Sequence, residues 1–277
     1  MTDLQVQDAP TATTSATGSN PTADFIWYEL MTTDGDAATR FYEAVVGWKI
    51  QEGSPEYKGY RMIGRDDGGS AGGILPLTDE MLEGGAKPIW LGYLHVGDVD
   101  EKVSAIKQAG GTVHLPPTDI PNVGRIAMVA DPQGAPFYVM KPIPPADKPD
   151  MRSDVFSRSA VQRCGWNELA TTDEKSARQF YGEQFGWTSD NFMPMGEMGE
   201  YRFFDLQGEG IGAVFNTPEG RPRWRFYFRV PSISAAKEAV EKSGGTVATG
   251  PMQVPTGDWV LLGTDPQGAE FALVGGE

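Results

Sequence analysis

The feature that most constrains the fold is an internal repeat that spans most of the chain. Residues 25–48, FIWYELMTTDGDAATRFYEAVVGW, align without a gap with residues 164–187, CGWNELATTDEKSARQFYGEQFGW. Further along, residues 110–137 align with residues 244–271, and both segments contain DPQGA. Chance does not produce so many identities in the same order. We therefore interpret the chain as two diverged copies of one α/β domain joined in tandem.

Each copy divides into two modules with the same predicted order of elements. In the first module, residues 25–31 are predicted to form a strand, and Asp34 is the expected N-cap of the helix that follows. Its counterpart Asp173 is interpreted in the same way, as a cap rather than a catalytic group. Gly47 stands where a helix commonly ends, and residues 131–134 favour a tight turn between two strands. The pattern predicts the order β-α-β-β-β four times along the chain.

The repeat also sets the expected domain organisation. Residues 1–22 are rich in Thr, Ser, Ala and Pro, and we expect a disordered tail because such a segment buries little apolar surface. Residues 23–145 are expected to form the first domain, residues 146–159 a polar linker, and residues 160–277 the second domain. The sequence leaves open which modules pair with each other.

Charge and composition argue against several classes of function. The chain carries 23 basic and 38 acidic residues, a formal net charge of −15, which argues against nucleic acid or an anionic membrane as a partner. No apolar run approaches the ~18–20 residues that cross a bilayer. The single cysteine, Cys164, cannot form an intramolecular disulfide, and we expect it to be a structural thiol. These observations favour a cytoplasmic protein that is a monomer or a homodimer.

The module pattern resembles a known superfamily. Paired βαβββ modules with a D-x₆-FY-x₄-GW segment and a closing DPQGA turn are similar to the vicinal oxygen chelate superfamily, the group of glyoxalase I, bleomycin-resistance proteins and extradiol dioxygenases. The resemblance covers residues 24–275, and it points to a tandem two-domain, glyoxalase-like branch with W-x-E/D-L in each first strand. It implies an α+β fold in which four βαβββ modules form two cup-shaped mixed sheets, with helices outside and a small-molecule site in each cup.

The resemblance also implies where a divalent metal would bind. In metal-dependent members, His, Gln or Glu ligands come from the first and last strands of paired modules. The corresponding positions in this chain hold Trp27, Leu91, Tyr138, Trp166, Arg225 and Ala272. Indole, isobutyl and phenol groups do not form such a site. We therefore predict no cofactor, and a divalent metal would have to use ligands other than the usual ones.

A repeated Trp-x-Glu is the strongest candidate for chemistry. Residues i and i+2 of a strand share one face, so Trp27 and Glu29 are expected to point into one cup, and Trp166 and Glu168 into the other. A carboxylate beside apolar aromatic surface tends toward a raised pKa and suits acid or base catalysis. The alternative is that both glutamates bind backbone amides or the arginines Arg61 and Arg202, and merely stabilise the sheet.

Four further residues are predicted to bind substrate. Tyr93 and Tyr227 occupy equivalent positions and offer hydroxyl groups to a ligand, although core packing is the commoner role of such residues. Arg225 has Leu91 as its counterpart and, if it faces the cup, is expected to pair with a ligand carboxylate or with Glu168, so the two cups are expected to differ in specificity. His95 lies on the same strand face as Leu91 and is expected to line a cup, with a place in the core or at the rim as the alternative.

These residues leave three hypotheses for function open. The first is a glyoxalase-like lyase or isomerase that acts on a small carbonyl compound, with Glu29 or Glu168 as the base. The second is a non-catalytic protein that sequesters a small aromatic or cationic molecule, as bleomycin-resistance proteins do. The third is an interaction module whose cups are filled by its own side chains. The sequence does not decide whether the protein is an enzyme, and it does not name the ligand.

Overall fold

The computed structural model describes residues 22–144, 146–147, 149, 151–217 and 220–277. Within the first half, it contains the following elements in chain order: β1 Phe25–Thr32, α1 Gly35–Val46, β2 Lys49–Ile50, β3 Arg61–Gly64, β4 Ser70–Pro76, α2 Asp79–Glu83, β5 Ile89–His95, α3 Val99–Gln108, β6 Thr112–Ile120, β7 Gly124–Ala130 and β8 Pro136–Pro142. All but one residue of the predicted tail, residues 1–22, lies outside the described residues. The short helix α2 is the one addition to the predicted module plan in this half.

The second half repeats this order. Its elements are β9 Cys164–Thr171, α4 Glu174–Phe185, β10 Phe192–Pro194, β11 Glu200–Leu206, β12 Glu209–Asn216, β13 Arg223–Ser232, α5 Ile233–Lys242, β14 Thr246–Gln253, β15 Trp259–Thr264 and β16 Glu270–Gly276. A 3-10 turn at Gly196–Met198 precedes β11. The predicted four βαβββ modules are therefore present, and the α+β fold class is confirmed.

Each half forms one mixed sheet of eight strands. The order is β2-β3-β4-β1-β5-β8-β7-β6 in the first sheet and β10-β11-β12-β9-β13-β16-β15-β14 in the second. At the centre of each sheet, the first strands of the two modules run antiparallel, β1 beside β5 and β9 beside β13. Consecutive modules of the same half therefore pair, which the sequence had left open.

The helix ends follow the local sequence signals. The Asp34 side chain accepts a hydrogen bond from the Ala37 amide at 2.9 Å, and the Asp173 side chain caps α4 through the Ser176 amide at 3.0 Å. Gly47 ends α1 with a φ of 80°, a left-handed conformation that glycine adopts without steric cost. Both aspartates are thus helix caps, as predicted.

The helix-covered faces of the two sheets share one hydrophobic core. Helix α1 packs against α5, and α3 packs against α4, so helices of both halves meet between the sheets. The Tyr28 hydroxyl donates to Asn167 Oδ1 at 2.8 Å, and Phe25 lies against the Trp187 ring at 5.8 Å between centroids. Because helices cover one face of each sheet, the opposite faces remain as the two cups.

A pair of reciprocal hydrogen bonds ties the halves together. The Tyr42 hydroxyl donates to Asp265 Oδ2 at 3.1 Å, and the Tyr181 hydroxyl donates to Asp131 Oδ2 at 3.2 Å. Each aspartate opens the DPQGA turn of the half opposite its tyrosine. The most strongly repeated segments of the sequence therefore form the contact between the halves.

The segment between the sheets is irregular, and it packs in part against the first half. Arg65, which is buried, forms an ion pair with Asp154 at 2.7 Å, and Val155 is buried as well. The exact domain bounds at residues 145 and 160 stay a prediction. No helix in the described part of the chain is long and apolar enough to span a membrane.

Candidate functional site in two cups

Strand alternation separates the core side chains from the cup side chains. In β1, Tyr28 and Leu30 enter the shared core, whereas Trp27 and Glu29 point to the opposite face. We define the first cup by the side chains Trp27, Glu29, Tyr60, Leu91, Tyr93 and Tyr138. We define the second cup by their counterparts Trp166, Glu168, Tyr201, Arg225, Tyr227 and Ala272. The structure thus brings each predicted Trp-x-Glu pair together with its predicted tyrosine.

Glu29 is the most perturbed acidic group of the first cup. Its side chain is buried, with 4% of the residue exposed, and Oε1 has no hydrogen-bond partner among the described residues. Burial raises the pKa of Glu29 to about 7, and interaction with the Tyr93 and Tyr60 hydroxyl groups offsets only part of this increase. Near neutral pH, the carboxyl group is therefore able to both accept and return a proton.

Aromatic and apolar side chains surround this carboxyl group. The Trp27 Nε1 donates to the Tyr60 hydroxyl at 2.9 Å, which leaves the phenolic proton of Tyr60 free to be donated. The rings of Tyr93 and Tyr138 stack at 4.2 Å between centroids. Burial raises the pKa of all three phenols, so they stay protonated at neutral pH. Leu91 completes the floor of the cup and is fully buried.

The second cup holds its glutamate differently. Glu168 Oε2 accepts hydrogen bonds from the Tyr201 hydroxyl at 2.9 Å and from the Tyr227 hydroxyl at 2.8 Å. Glu168 Oε1 accepts from Arg225 Nη1 at 2.9 Å, and this pair is a nearly buried salt bridge. Trp166 Nε1 donates to the Tyr201 hydroxyl at 2.9 Å, as Trp27 does to Tyr60. Every oxygen of this carboxylate is therefore paired.

One cross-strand position accounts for the difference between the two glutamates. Glu29 lies opposite Leu91 in the β1–β5 register, and Glu168 lies opposite Arg225 in the β9–β13 register. Directly opposed residues on one face of a sheet are in contact. An isobutyl group leaves Glu29 without a counter-ion, whereas a guanidinium group neutralises Glu168. The expected difference between the two cups thus has a structural basis.

The arginines suggested as alternative partners of the glutamates bind elsewhere. Arg61 forms an ion pair with Asp36 at 2.5 Å, and Arg202 forms one with Glu200 at 2.5 Å. Tyr60 and Tyr201, which no site prediction included, take the position beside the carboxyl groups instead. The sequence signal for these tyrosines is that each one precedes the matched arginine in both copies. Neighbouring residues of a strand face opposite sides, so the tyrosine and the arginine cannot both enter the cup.

Other predicted residues lie farther from the glutamates. His95 lies at the end of β5 and lines a groove that Lys102 of α3 and Phe185 of α4 also line. Trp90 is buried in the shared core, and its Nε1 donates to the Tyr42 hydroxyl at 2.8 Å. Cys164 is buried in the core, and burial raises its pKa to about 12, which suits a structural thiol.

The donor set of the cups does not fit a divalent metal at the usual positions. The side chains there are those of Trp27, Leu91 and Tyr138 in the first cup, and of Trp166, Arg225 and Ala272 in the second. Glu29 and Glu168 are the carboxylates among the side chains that define the two cups, and no group of three or more His, Cys, Asp or Glu side chains converges within the described residues. That no cofactor is bound stays a prediction.

Proteins of similar sequence match over most of the chain. One is "Putative glyoxylase CFP32" of Mycobacterium tuberculosis, which is 29% identical over 254 residues, 90% of this chain and 93% of that protein. Another is the anthracycline biosynthesis protein DauV of Streptomyces sp. strain C5, which is 27% identical over 263 residues, 90% of this chain and 91% of that protein. Both matches span the two halves, as expected for a tandem protein.

Solved structures of low sequence identity share the fold. The substrate complex of homoprotocatechuate 2,3-dioxygenase from Brevibacterium fuscum aligns with a TM-score of 0.63 at 16% identity, over 92% of this chain and 81% of that chain. The Mn(II)-bound glyoxalase from Novosphingobium aromaticivorans aligns with a TM-score of 0.62 at 14% identity, over 92% and 82%. A family model matches residues 25–139, the two modules of the first half. That model represents the Glyoxalase/Bleomycin resistance protein/Dioxygenase superfamily, and the second half of the chain repeats the modules that it matches.

Proposed function

We propose that this protein is a small-molecule-binding, glyoxalase-like lyase or isomerase that moves a proton on a small carbonyl compound in its first cup. The observation that carries this proposal is the buried Glu29 carboxyl group, whose Oε1 has no partner among the described residues and whose pKa is about 7. A general base works best when its pKa is near the working pH. Aromatic walls and the absence of a counter-ion at Leu91 keep Glu29 in that range.

The proposed step is proton abstraction from the carbon next to a carbonyl group. Glu29 Oε1 removes the proton as the C–H bond breaks, and its electron pair forms the C=C bond of an enolate. The Tyr93 and Tyr60 hydroxyl groups stay protonated at neutral pH and are suited to donate hydrogen bonds to the enolate oxygen. Glu29 then returns the proton to a neighbouring atom, which gives an isomer, or a leaving group departs, which gives a lyase reaction.

Glu168 is the weaker candidate for the same role. Its oxygens are occupied by Arg225, Tyr201 and Tyr227, so a substrate proton would have to displace a charge-assisted hydrogen bond. Of the two glutamates predicted as bases, the proposal therefore assigns catalysis to Glu29. Glu168 has the role of holding Arg225 in place.

Exchange of substrate protons with deuterated water tests this assignment. The probes are the hemithioacetal formed from methylglyoxal and glutathione, and a panel of small ketones. NMR follows the signal of the proton on the carbon next to the carbonyl group, which disappears as deuterium replaces it. We expect Glu29→Gln to reduce the exchange rate by about 10²-fold or more and Glu168→Gln to reduce it far less. An unchanged rate in Glu29→Gln would overturn the role of Glu29, and loss of exchange on chelation would overturn the metal-free step.

A specific observation supports a second candidate, sequestration of a planar aromatic molecule. The stacked rings of Tyr93 and Tyr138 and the indole of Trp27 give the first cup a mainly aromatic surface. One relative is named as an anthracycline biosynthesis protein, and an anthracycline has a planar aromatic core. Saturable binding of a planar aromatic probe without exchange or turnover would favour this candidate over the lyase or isomerase.

A further inference from the structure

The central strand of the second sheet carries a row of arginines toward its cup. Alternation in β13 places every second side chain on the cup face, while Trp224, Phe226 and Phe228 enter the core. The side chains on the cup face are Arg223, Arg225, Tyr227 and Arg229, and their counterparts in β5 are Ile89, Leu91, Tyr93 and His95. Three apolar or neutral positions of the first half have thus become permanent cations in the second.

The same cup has lost side-chain bulk at four positions. The first-cup residues Ile26, Met31, Tyr138 and Met140, which form one buried apolar cluster, correspond to Gly165, Ala170, Ala272 and Val274. Arg229 lies over the smallest of these residues. A Cβ atom built on Gly165 would lie 3.6 Å from Arg229 Nε, so the guanidinium group lies over the glycine. The second cup is therefore lined by arginines and their paired carboxylates, where the first is lined mainly by apolar side chains.

We propose that the second cup is a separate binding site for a small aromatic carboxylate, with Arg225 as the anchor of the carboxylate and Trp166 as the stacking surface. This site is distinct from the proton-transfer site proposed in the first cup. A charge-assisted hydrogen bond from an arginine to a carboxylate is roughly twice as strong as a neutral one, and it fixes the position of the ligand carboxylate. The apolar side chains Val260 and Leu262 and the edge of Phe203, whose ring lies 6.1 Å from that of Trp166, suit the ring of such a ligand.

The ion pairs of the cup show which contact the ligand would replace. Arg225 Nη1 binds the buried Glu168, whereas Arg225 Nη2 binds Glu270 at 3.1 Å. Glu270 is 44% exposed and also binds Arg223 at 2.7 Å, so it keeps a partner when it leaves Arg225. A ligand carboxylate can therefore take the place of Glu270 at Arg225 without leaving a buried charge unpaired.

Two unpaired donors favour an anion over a cation. Arg158 lies over the Trp166 ring at 5.7 Å, and no carboxylate forms an ion pair with it within the described part of the chain. Arg229 binds Asp258, but its Nε is buried without a hydrogen-bond partner among the described residues. The paired charges of the cup cancel, and Arg158 adds one positive charge at its mouth. In a chain with a net charge of −15, this local surplus is selective for an anionic ligand.

Benzoate is the probe that tests this proposal, and benzamide is its neutral isostere. Titration calorimetry measures affinity, and ¹⁹F NMR of protein labelled with 5-fluorotryptophan locates the site through the Trp166 signal, assigned with Trp166→Phe. We expect saturable benzoate binding that shifts the Trp166 signal, with benzamide at least about tenfold weaker. Equal affinity for the two probes, or no saturation by about 10 mM benzoate, would overturn the proposal.

Variants separate the site from a general charge effect. The double variant Arg225→Leu, Glu168→Gln restores the leucine of the first cup without leaving a buried carboxylate unpaired, and we expect it to weaken benzoate binding about tenfold or more. Arg158 is exposed, so Arg158→Ala is not expected to disturb folding. We expect this variant to bind benzoate several-fold more weakly than the wild-type protein. The control Arg125→Ala removes one positive charge from the helix face of the other half and should leave the affinity unchanged. Unchanged binding in both test variants contradicts the proposal.

Discussion

The pH dependence of stability in Glu29→Gln is the most direct test of the environment of the first cup. The pKa of Glu29 is about 7 in the folded chain, whereas its ordinary value is 4.5. The folded state therefore holds this proton more tightly than the unfolded chain does, and its stabilising effect is fully present below pH 4.5. It is lost as the pH rises toward 7. At about 1.4 kcal/mol per pH unit, the loss amounts to about 3 kcal/mol.

Urea-induced unfolding measured from pH 4 to pH 8.5 gives this quantity. Glutamine keeps the shape of the carboxyl group but does not ionise. The free energy of unfolding of Glu29→Gln therefore lacks the pH-dependent contribution of residue 29. We expect the wild-type protein to lose about 3 kcal/mol relative to the variant between pH 4.5 and 7, and no more above pH 7. The hydroxyl groups of Tyr60, Tyr93 and Tyr138 face Glu29. They stay neutral over this pH range and do not contribute to the change in stability.

The second cup supplies the matched control. In Glu168→Gln, Arg225 loses its buried partner but keeps Glu270, and we expect the variant to be less stable than the wild-type protein by about 1–3 kcal/mol at pH 8. Near pH 8, Glu29→Gln should therefore have a higher free energy of unfolding than the wild-type protein, and Glu168→Gln a lower one. Parallel pH curves for the wild-type protein and Glu29→Gln would refute the reasoning, because they would mean that Glu29 titrates as it does in the unfolded chain.

Two further predictions concern the core between the halves. Tyr181→Phe leaves Asp131 Oδ2 without its donor, and we expect a loss of about 1–3 kcal/mol in urea unfolding, against no change in the control Tyr57→Phe at an exposed ring. The Cys164 thiol, buried and with a pKa of about 12, should react with a disulfide reagent at pH 8 only as fast as the protein opens. Reaction at the rate of a free thiol in the absence of urea would contradict that expectation.

Most of the fold is predictable from the sequence because each module occurs in two aligned copies, so the same strand and helix patterns can be compared between them. Strand alternation around Trp27 and Glu29 and the caps at Asp34 and Asp173 depend on local chemistry, and the structure confirms them. Pairing of the modules within each half depends on contacts between distant strands. Neither the spacing of residues nor their helix and strand preferences records these contacts, so the pairing required the structure.

The candidate site is only partly predictable for the same reason. The Trp-x-Glu pairs are visible because residues two apart in a strand share a face. The charge state of each glutamate depends instead on Leu91 or Arg225, residues of another strand that are opposed only after the sheet has formed. Tyr60 enters the cup from just before β3, through a hairpin whose register the sequence does not specify.

The contrast between core and cup explains how one scaffold can hold two chemistries. Tyr42 and Tyr181 bind the turn of the opposite half, so loss of either hydroxyl group leaves one buried carboxylate oxygen without its donor. Leu91 belongs to an apolar cluster of first-half side chains, and Arg225 pairs with Glu168 and Glu270 of the second half. A single exchange there turns an unpaired, titratable carboxyl group into a permanent ion pair. Because this exchange alters the charge of the cup and not the shared core, the same interlocked fold accommodates either arrangement.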